Sequence, residues 1–234
     1  MSVPKPCGEL PSFERPPLRE VVFGVVFDHL GGFTVPHIGA YWEHIRKDYP
    51  GVDCVPPLPP IHPASQTWQV PGPRAWFISA DSSHLIQLQN GRFHLNWRLG
   101  DNGDGYPRYE ALMPRFQESL RSFTSFVGEM GLGGVKVKSY ELTYVNEIRC
   151  EPIASIGTVM RDITWKTEGS RFLPEPTGLA WKAVFPLPGS SGRLTADLKH
   201  VFKQDVPLFV LELSATGPAP DRKSTRLNSS HRIR

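Results

Sequence analysis

Apolar residues recur along the chain in two spacings, which predict strands and helices in turn. The segment Arg19–Phe27 is rich in Val and Phe without alternation, as in a strand covered on both faces. After Gly31-Gly32, apolar residues recur every three or four positions up to Tyr49, which predicts an amphipathic helix with Thr34 as its N-cap. Six prolines between Pro50 and Pro63 then predict a long, stiff loop.

The pair Asn90-Gly91 is the clearest local signal, because it favours a two-residue β-hairpin with a type I′ turn. Such a turn fixes the register of the strands His84–Gln89 and Arg92–Arg98. One face is then mainly apolar, with the pairs Leu88 and Phe93, Ile86 and Leu95, and His84 and Trp97. The opposite face pairs Gln89 with Arg92, Gln87 with His94, and Leu85 with Asn96. A further strand is predicted at Arg74–Ala80.

The remaining pattern predicts a long helix and then a second group of strands. The helix opens at Tyr106-Pro107 and ends at Gly131–Gly134, and Pro114 should kink it or delay its start. The elements that follow are a strand at Val135–Ile148, a short helix at Ile153–Trp165, and an antiparallel meander of Gly178–Pro186, Gly192–Phe202 and Val206–Ala215.

This order predicts an α+β fold, an antiparallel sheet with helices packed on one face. The other face should be at least partly solvated, because its strands alternate. The domain organisation predicted is a proline-rich leader (residues 1–18), a first half (19–134) and a second half (135–220). The halves suggest two β-α-β-β-β-α repeats with the last helix missing, and Ile38-Gly39 matches Ile156-Gly157 in the helix of each.

The last residues, 221–234, are interpreted as a non-native tail. Residues 221–231 resemble a translated sequencing-library adapter, so we expect the native C-terminus beyond Pro220 to be missing. Loss of a helix that buries about five apolar side chains would cost on the order of 10 kcal/mol, so the chain should be unstable when expressed.

Excluding the tail changes the electrostatic interpretation. The whole chain carries a net charge of +3, whereas residues 1–220 hold 21 basic and 22 acidic side chains, a net charge of −1. A near-neutral chain argues against nucleic-acid binding, which usually requires a basic stripe.

Composition indicates a soluble globular protein. The chain is 39% hydrophobic and 11% aromatic, and no apolar run approaches the 18 or more residues of a membrane span. The N-terminus lacks the apolar core of a signal peptide, and three scattered cysteines form no disulfide framework. We therefore expect a cytoplasmic protein with reduced thiols and no membrane partner.

Four short sequence motifs, taken in their order along the chain, resemble those of a known family. They are Pro16-Pro17-Leu18-Arg19-Glu20-Val21-Val22, Ile86-Gln87-Leu88-Gln89 with Asn96-Trp97-Arg98, Tyr106-Pro107-Arg108-Tyr109, and Glu141-Leu142-Thr143-Tyr144-Val145-Asn146. They resemble the "sporadically distributed" family of uncharacterised prokaryotic proteins, over residues 11–217. The resemblance implies a further strand and helix at the C-terminus and supplies no activity. Its patchy occurrence suggests mobile or defence-type gene modules.

No catalytic, cofactor or metal signature is present. The chain lacks GxSxG, P-loop, HExxH, Rossmann and CxxC patterns, so no cofactor is predicted. His37 and His44 lie about two helical turns apart, and His84 and His94 fall on opposite hairpin faces. No metal site is therefore expected.

The best candidate site is the polar face of the hairpin together with the next strand. Neighbouring strands could bring Arg98 near Glu141 as an ion pair, with amide groups around it. A structural network of the same groups is the simpler interpretation. The candidate binding residues are Gln87, Gln89, Arg92, His94, Asn96, Arg98, Glu141 and Asn146.

Three functions remain open. The first is a binding or interaction module that uses the polar sheet face and acts with a partner protein encoded nearby. The second is a hydrolase-like enzyme with a polar pocket around Arg98, Glu141 and Asn146, although no nucleophile and base can be named. The third is a nucleic-acid-binding sheet, for which Lys136 and Lys138 alone make too short a basic stripe.

Overall fold

The chain forms a mostly antiparallel sheet of nine strands with helices, which confirms the α+β class. A computed structural model describes residues 13–59, 72–100, 105–149, 153–160, 163, 176–189 and 191–220. The predicted tail (221–234) and the leader up to residue 12 lie outside these residues. The strands are β1 (Leu18–Phe27), β2 (Gly51–Val55), β3 (Arg74–Ile78), β4 (His84–Gln89), β5 (Arg92–Arg98), β6 (Val137–Ile148), β7 (Ala180–Pro186), β8 (Arg193–Lys203) and β9 (Val206–Pro218).

The helices are α1 (Val35–Ile45), α2 (Tyr109–Glu129) and the one-turn α3 (Ile156–Val159), which follows a 3₁₀ turn at Ile153–Ser155. The strand order in the sheet is β2-β3-β4-β5-β1-β6-β9-β8-β7. No helix in the described part of the chain is both long and apolar enough to span a membrane.

The chain divides into two compact units. The hairpin unit comprises Val22–Leu142 and Thr216–Arg234, and the meander unit comprises Met1–Val21 and Thr143–Ala215. The strands β1, β6 and β9 contribute residues to both.

Aromatic rings form the core of the hairpin unit. The Phe123 ring of α2 is fully buried and stacks on Phe93 of β5 at 5.2 Å between centroids. It also meets Tyr41 of α1 at 5.3 Å, and Tyr41 in turn contacts Phe77 of β3 at 5.9 Å. The two helices therefore cover the sheet face that carries Phe77 and Phe93, which is the apolar face predicted for the hairpin.

The hairpin register is confirmed at all six pairs, from His84 opposite Trp97 to Gln89 opposite Arg92. The predicted turn type is wrong. Only Gly91 of the two turn residues has a positive φ, 92°, whereas a type I′ turn needs a positive φ at both. The Asn90 side chain instead binds the loop after β1, accepting from Leu30 N at 2.9 Å and donating to Leu30 O at 3.1 Å.

The prediction of a loop from Pro50 to Pro63 is wrong for its first residues. Gly51–Val55 forms β2, which pairs antiparallel with β3 and is the first strand in the sheet order. Five consecutive residues without proline suffice for a strand, and an edge position tolerates the flanking prolines. Residues 60–71 lie outside the described part.

Helix α1 begins as predicted, with Thr34 as its N-cap and Pro36 in the first turn. The Thr34 amide donates to Nδ1 of His37 at 3.1 Å, so a histidine three residues on fills the place that Glu or Gln takes in a capping box. Helix α2 begins at Tyr109, three residues later than predicted, and contains Pro114. Gly131, just beyond its end, has a positive φ of 67°, as is common for a glycine that ends a helix.

The meander unit has a smaller core. Its buried members are Ile156, Ile163, Leu198 and Phe209. Strands β7 and β8 pair antiparallel from Ala180 opposite Lys199 to Pro186 opposite Arg193. Both strands occur where the meander was predicted.

Two residues between β8 and β9 generate a stability prediction. Gln204 and Asp205 have φ of 50° and 61°, the left-handed conformation at both positions of a type I′ turn. Side chains with a Cβ pay about 1 kcal/mol each there, whereas Asn-Gly adopts it readily. The double change Gln204→Asn and Asp205→Gly should therefore raise the free energy of unfolding by about 1–2 kcal/mol in urea titrations.

The change Asp205→Ala is the matched control, because it keeps a Cβ at the left-handed position and should give no gain. Equal unfolding midpoints for the Asn-Gly variant and the original chain would contradict the assigned turn.

Candidate functional site

The polar face of the hairpin is buried at its centre. Gln87, His94 and Asn96 are only 8%, 5% and 2% exposed, whereas Gln89 and Arg92 at the turn end are partly accessible. The sequence pattern predicted a face that is at least partly solvated, and this holds only toward the margins. Since buried polar groups need hydrogen-bond partners, the contacts of these side chains decide what the face can do.

His94 and Glu141 form the most unusual contact on this face. Nε2 of His94 lies 2.9 Å from Oε2 of Glu141. His94 is on β5 and Glu141 on β6, and β1 lies between these strands. The imidazole can cross β1 because it passes over Gly24, where a Cβ would collide with the ring, 2.8 Å from Nε2. A glycine is therefore required at position 24, because the His94 ring comes so close to the backbone there. This glycine interrupts a strand that is otherwise rich in Val and Phe.

A second network centres on the Gln87 amide. Its Oε1 accepts from Trp76 Nε1 at 3.1 Å and from Arg74 Nη1 at 3.2 Å. Its Nε2 donates to Oδ1 of Asn96 at 2.9 Å. The strands β3, β4 and β5 are thus linked through side chains as well as through their backbone ladders.

The turn end of the face holds a short backbone segment, residues 56–59. The Gln89 amide donates to Leu58 O at 3.2 Å and accepts from Leu58 N at 2.9 Å, the pair of bonds that a neighbouring strand would make. Nη2 of Arg92 donates to Pro59 O at 2.8 Å. Gln89 and Arg92 are therefore engaged by the chain itself.

The structure brings some of the predicted site residues together and separates one from the rest. Gln87, Gln89, Arg92, His94, Asn96, Arg98 and Glu141 all belong to the hairpin unit. Asn146 belongs to the meander unit, where its Nδ2 donates to Leu211 O at 3.3 Å. The Arg98 guanidinium lies 4.8 Å from the centroid of the Trp76 ring, a cation–π contact. The expected ion pair of Arg98 with Glu141 stays a prediction.

Sequence reasoning missed three participants in this site: Gly24, Trp76 and Arg74. The isolated glycine inside Arg19–Phe27 is the one signal that could have indicated a side chain crossing the strand. Arg74 and Trp76 are two residues apart on the predicted strand Arg74–Ala80, so they share one face. The register of β3 with β4 places Trp76 opposite Gln87.

The chemistry available to His94 is that of an oriented imidazole. A carboxylate on one ring nitrogen fixes the orientation of the ring, as the third group of a catalytic triad does for its histidine base. The described hydrogen bonds of His94 include no Ser, Thr or Cys. Over the described residues, no three His, Cys, Asp or Glu side chains are grouped to hold a metal.

A separate cluster lies in the turn between β3 and β4. Asp81 accepts from Ser79 Oγ at 2.6 Å and from Ser83 Oγ at 2.6 Å, and these hydrogen bonds hold its pKa well below the usual range. Ser83 Oγ also lies 2.7 Å from Nδ1 of His84. Burial, with the positive charge of Arg115, lowers the pKa of His84 to about 4.

Comparison with known proteins adds no family to this geometry. The chain matches no protein-family model, no curated protein sequence and no solved structure. The resemblance to the "sporadically distributed" family therefore stays an expectation from the sequence.

The crossing at Gly24 gives a direct test. Gly24→Ala places a methyl group against the His94 ring and should lower the free energy of unfolding by about 2 kcal/mol in urea titrations. Gly39→Ala is the matched control, because nothing lies within 4 Å of that position on α1. It should leave stability unchanged or raise it by up to about 1 kcal/mol.

Removing the imidazole should relieve the clash, so Gly24→Ala should cost less in a His94→Ala background than alone. Additive effects of the two changes would contradict the crossing.

The low pKa of His84 gives a pH prediction. The unfolded chain takes up this proton near pH 6.5 and the folded chain only near pH 4, so the unfolded state binds more protons between these values. Stability should fall as the pH falls from about 6.5 to about 4, and His84→Gln should make this fall shallower. Urea titrations across this pH range measure the free energy of unfolding, with His29→Gln as the control. Parallel curves for His84→Gln and the original chain would refute the assignment.

Proposed function

We propose that the protein is a binding module that acts with a partner protein, and that the partner adds an extended segment to strand β7. The observation that carries the proposal is that no described strand pairs with the outer edge of β7. β7 is the last strand in the sheet order, and Val184 and Phe185 on it are 57% and 45% exposed. An open edge with apolar side chains is the surface used in β-strand addition.

The backbone register identifies which groups of β7 face the open edge. His200 N donates to Leu179 O and Leu187 N donates to Gly192 O, so odd-numbered residues of β7 point their N–H and C=O groups at β8. Alternation in an antiparallel ladder then directs those of Ala180, Lys182 and Val184 outward. A partner strand would bond to these groups.

The other edge strand contrasts with β7. β2 has five residues, and Pro50 precedes it while Pro56 and Pro57 follow it. Short length and flanking prolines are common protections of an edge against further pairing. β7 has seven residues and no proline before Pro186. The contrast favours β7 as the edge that pairs with a partner.

The polar hairpin face is less suited to protein docking than the sequence suggested, because its centre is buried and internally bonded. The pair His94 and Glu141 instead favours a second candidate function, an enzyme in which Glu141 orients His94 as a general base. The nucleic-acid alternative gains little support, since Lys138 pairs with Asp28 at 3.3 Å rather than extending a basic stripe.

The strand order also supports the proposed duplication. Each half begins with a strand that neighbours the last strand of the same half, in the orders β1-β5-β4-β3-β2 and β6-β9-β8-β7. The first half has one strand more, β2. A duplicated ancestor, carried in a mobile or defence-type gene module, would explain both this order and the paired short motifs.

Co-expression of the protein with the products of neighbouring genes, followed by affinity measurement on any complex, tests the proposal. Val184→Pro removes an outward N–H without touching the ladder to β8, and should weaken partner binding at least tenfold. Val184→Thr keeps that N–H and is the matched control, with little change expected.

Binding that Val184→Pro leaves unchanged would refute β7 as the docking edge. A protein that binds no product of its neighbouring genes would refute the proposed function.

A further inference from the structure

We propose that the hairpin unit contains an anion-binding site formed by Arg74 and Arg92, which takes the carboxylate or phosphate group of a small molecule. The site lies on the turn end of the polar face. It is separate from the docking edge on β7 and does not depend on it.

The two arginines share one row across three strands. The register of β3 with β4 places Trp76 opposite Gln87, so Arg74 continues the ladder opposite Gln89. Gln89 is in turn opposite Arg92. Residues directly opposite each other on neighbouring strands point to the same face of the sheet, and their Cβ atoms are about 5 Å apart. Both long side chains therefore rise from the same face on either side of Gln89, and both guanidinium groups can extend toward one small group above it.

Both guanidinium groups are bonded only to neutral oxygens within the described part of the chain. Nη1 of Arg74 donates to the Gln87 amide oxygen at 3.2 Å, and Nη2 of Arg92 donates to the carbonyl oxygen of Pro59 at 2.8 Å. Neither forms a salt bridge with a described carboxylate. Arginines removed from water normally pair with an anion, because partial burial of an unpaired charge is costly.

Arg74 carries a further unused donor. Its Nε is inaccessible to solvent and has no hydrogen-bond partner among the described residues. An orphaned donor of this kind is rare in native proteins and calls for a water, an ion or a ligand. Because Nε itself is enclosed, a carboxylate or phosphate would have to approach the Nη atoms of this guanidinium.

The electrostatic setting agrees with this geometry. Burial lowers the pKa of Arg74, and the nearby positive charge of Arg92 lowers it further. Burial also lowers the pKa of Arg92, while the negative charge of Glu141 opposes that shift. An anion between the two guanidinium groups would relieve their repulsion and restore both values.

The surroundings set the size and class of the ligand. The Trp76 ring lies 5.7 Å from the Arg74 guanidinium and 4.8 Å from that of Arg98, which restricts how these groups can turn. The segment 56–59 lies over the turn end, held by Gln89 and Arg92. A covered site of this kind suits a small molecule rather than a protein surface or a nucleic acid.

The test compares oxyanions at matched ionic strength. Thermal unfolding is measured in chloride alone, and with phosphate or acetate at about 10 mM, since a ligand that binds the folded state raises its stability. Isothermal titration then gives the affinity of the better probe. Stabilisation by phosphate alone would indicate a phosphorylated ligand, and stabilisation by acetate alone would indicate a carboxylic acid.

Arg74→Gln removes the charge and retains a polar side chain, and Arg92→Gln is a second variant of the same kind. Each should weaken the affinity for the probe at least tenfold. In chloride we expect little change in stability, because the lost hydrogen bond to Gln87 or Pro59 and the relieved repulsion oppose each other. Arg46→Gln is the control, since that exposed arginine on α1 pairs with Glu43 and should leave probe binding unchanged.

Failure of both probes to stabilise the protein would overturn the site. So would an affinity that survives both Arg74→Gln and Arg92→Gln. Equal destabilisation of these variants with and without the probe would assign the arginines a structural role only.

Discussion

The hydrogen bond from His94 to Glu141 is the constraint on which the polar side of the hairpin unit depends. It joins β5 to β6 across an intervening strand, and it exists only because β1 has no side chain at Gly24. Both partners are largely withdrawn from water. A buried ionisable pair loses much stability when one member is removed, because the other is left without compensation. The strand β1 must therefore keep a glycine at the one position where its Val and Phe pattern breaks.

The two faces of the hairpin unit are stabilised by different interactions. One face buries Phe77 and Phe93 against the helices, where Phe123 of α2 stacks on Phe93. Apolar contacts of this kind have no directional requirement. The other face is a network of directional bonds through Gln87, His94 and Asn96, in which each donor has a particular acceptor. Networks of this kind fix strand register more strictly than apolar packing. The hairpin face stays partly accessible at the margin of the network, at Gln89 and Arg92.

The sequence was most informative where spacing alone determines structure. Asn90-Gly91 located the hairpin and its six pairs, since a two-residue turn leaves one register. The turn type could not be predicted, because the Asn90 side chain binds Leu30, sixty residues away. β2 was missed because proline density concealed five residues without proline. Six of the candidate residues lie on the pair of strands β4 and β5. The partner of Glu141 depends on which strands are neighbours, and strand order is not encoded in local pattern.

The two hydrogen bonds between the Asn90 side chain and the Leu30 backbone make the loop after β1 sensitive to deamidation of Asn90. An amide can both accept from an N–H and donate to a C=O, and Asn90 uses each capacity on the same residue. Deamidation would convert this side chain to a carboxylate, which can only accept. The carbonyl of Leu30 would keep only the Phe33 amide as a donor and would face a negative charge, so a single hydrolysed bond would weaken the attachment of the loop after β1 to the hairpin.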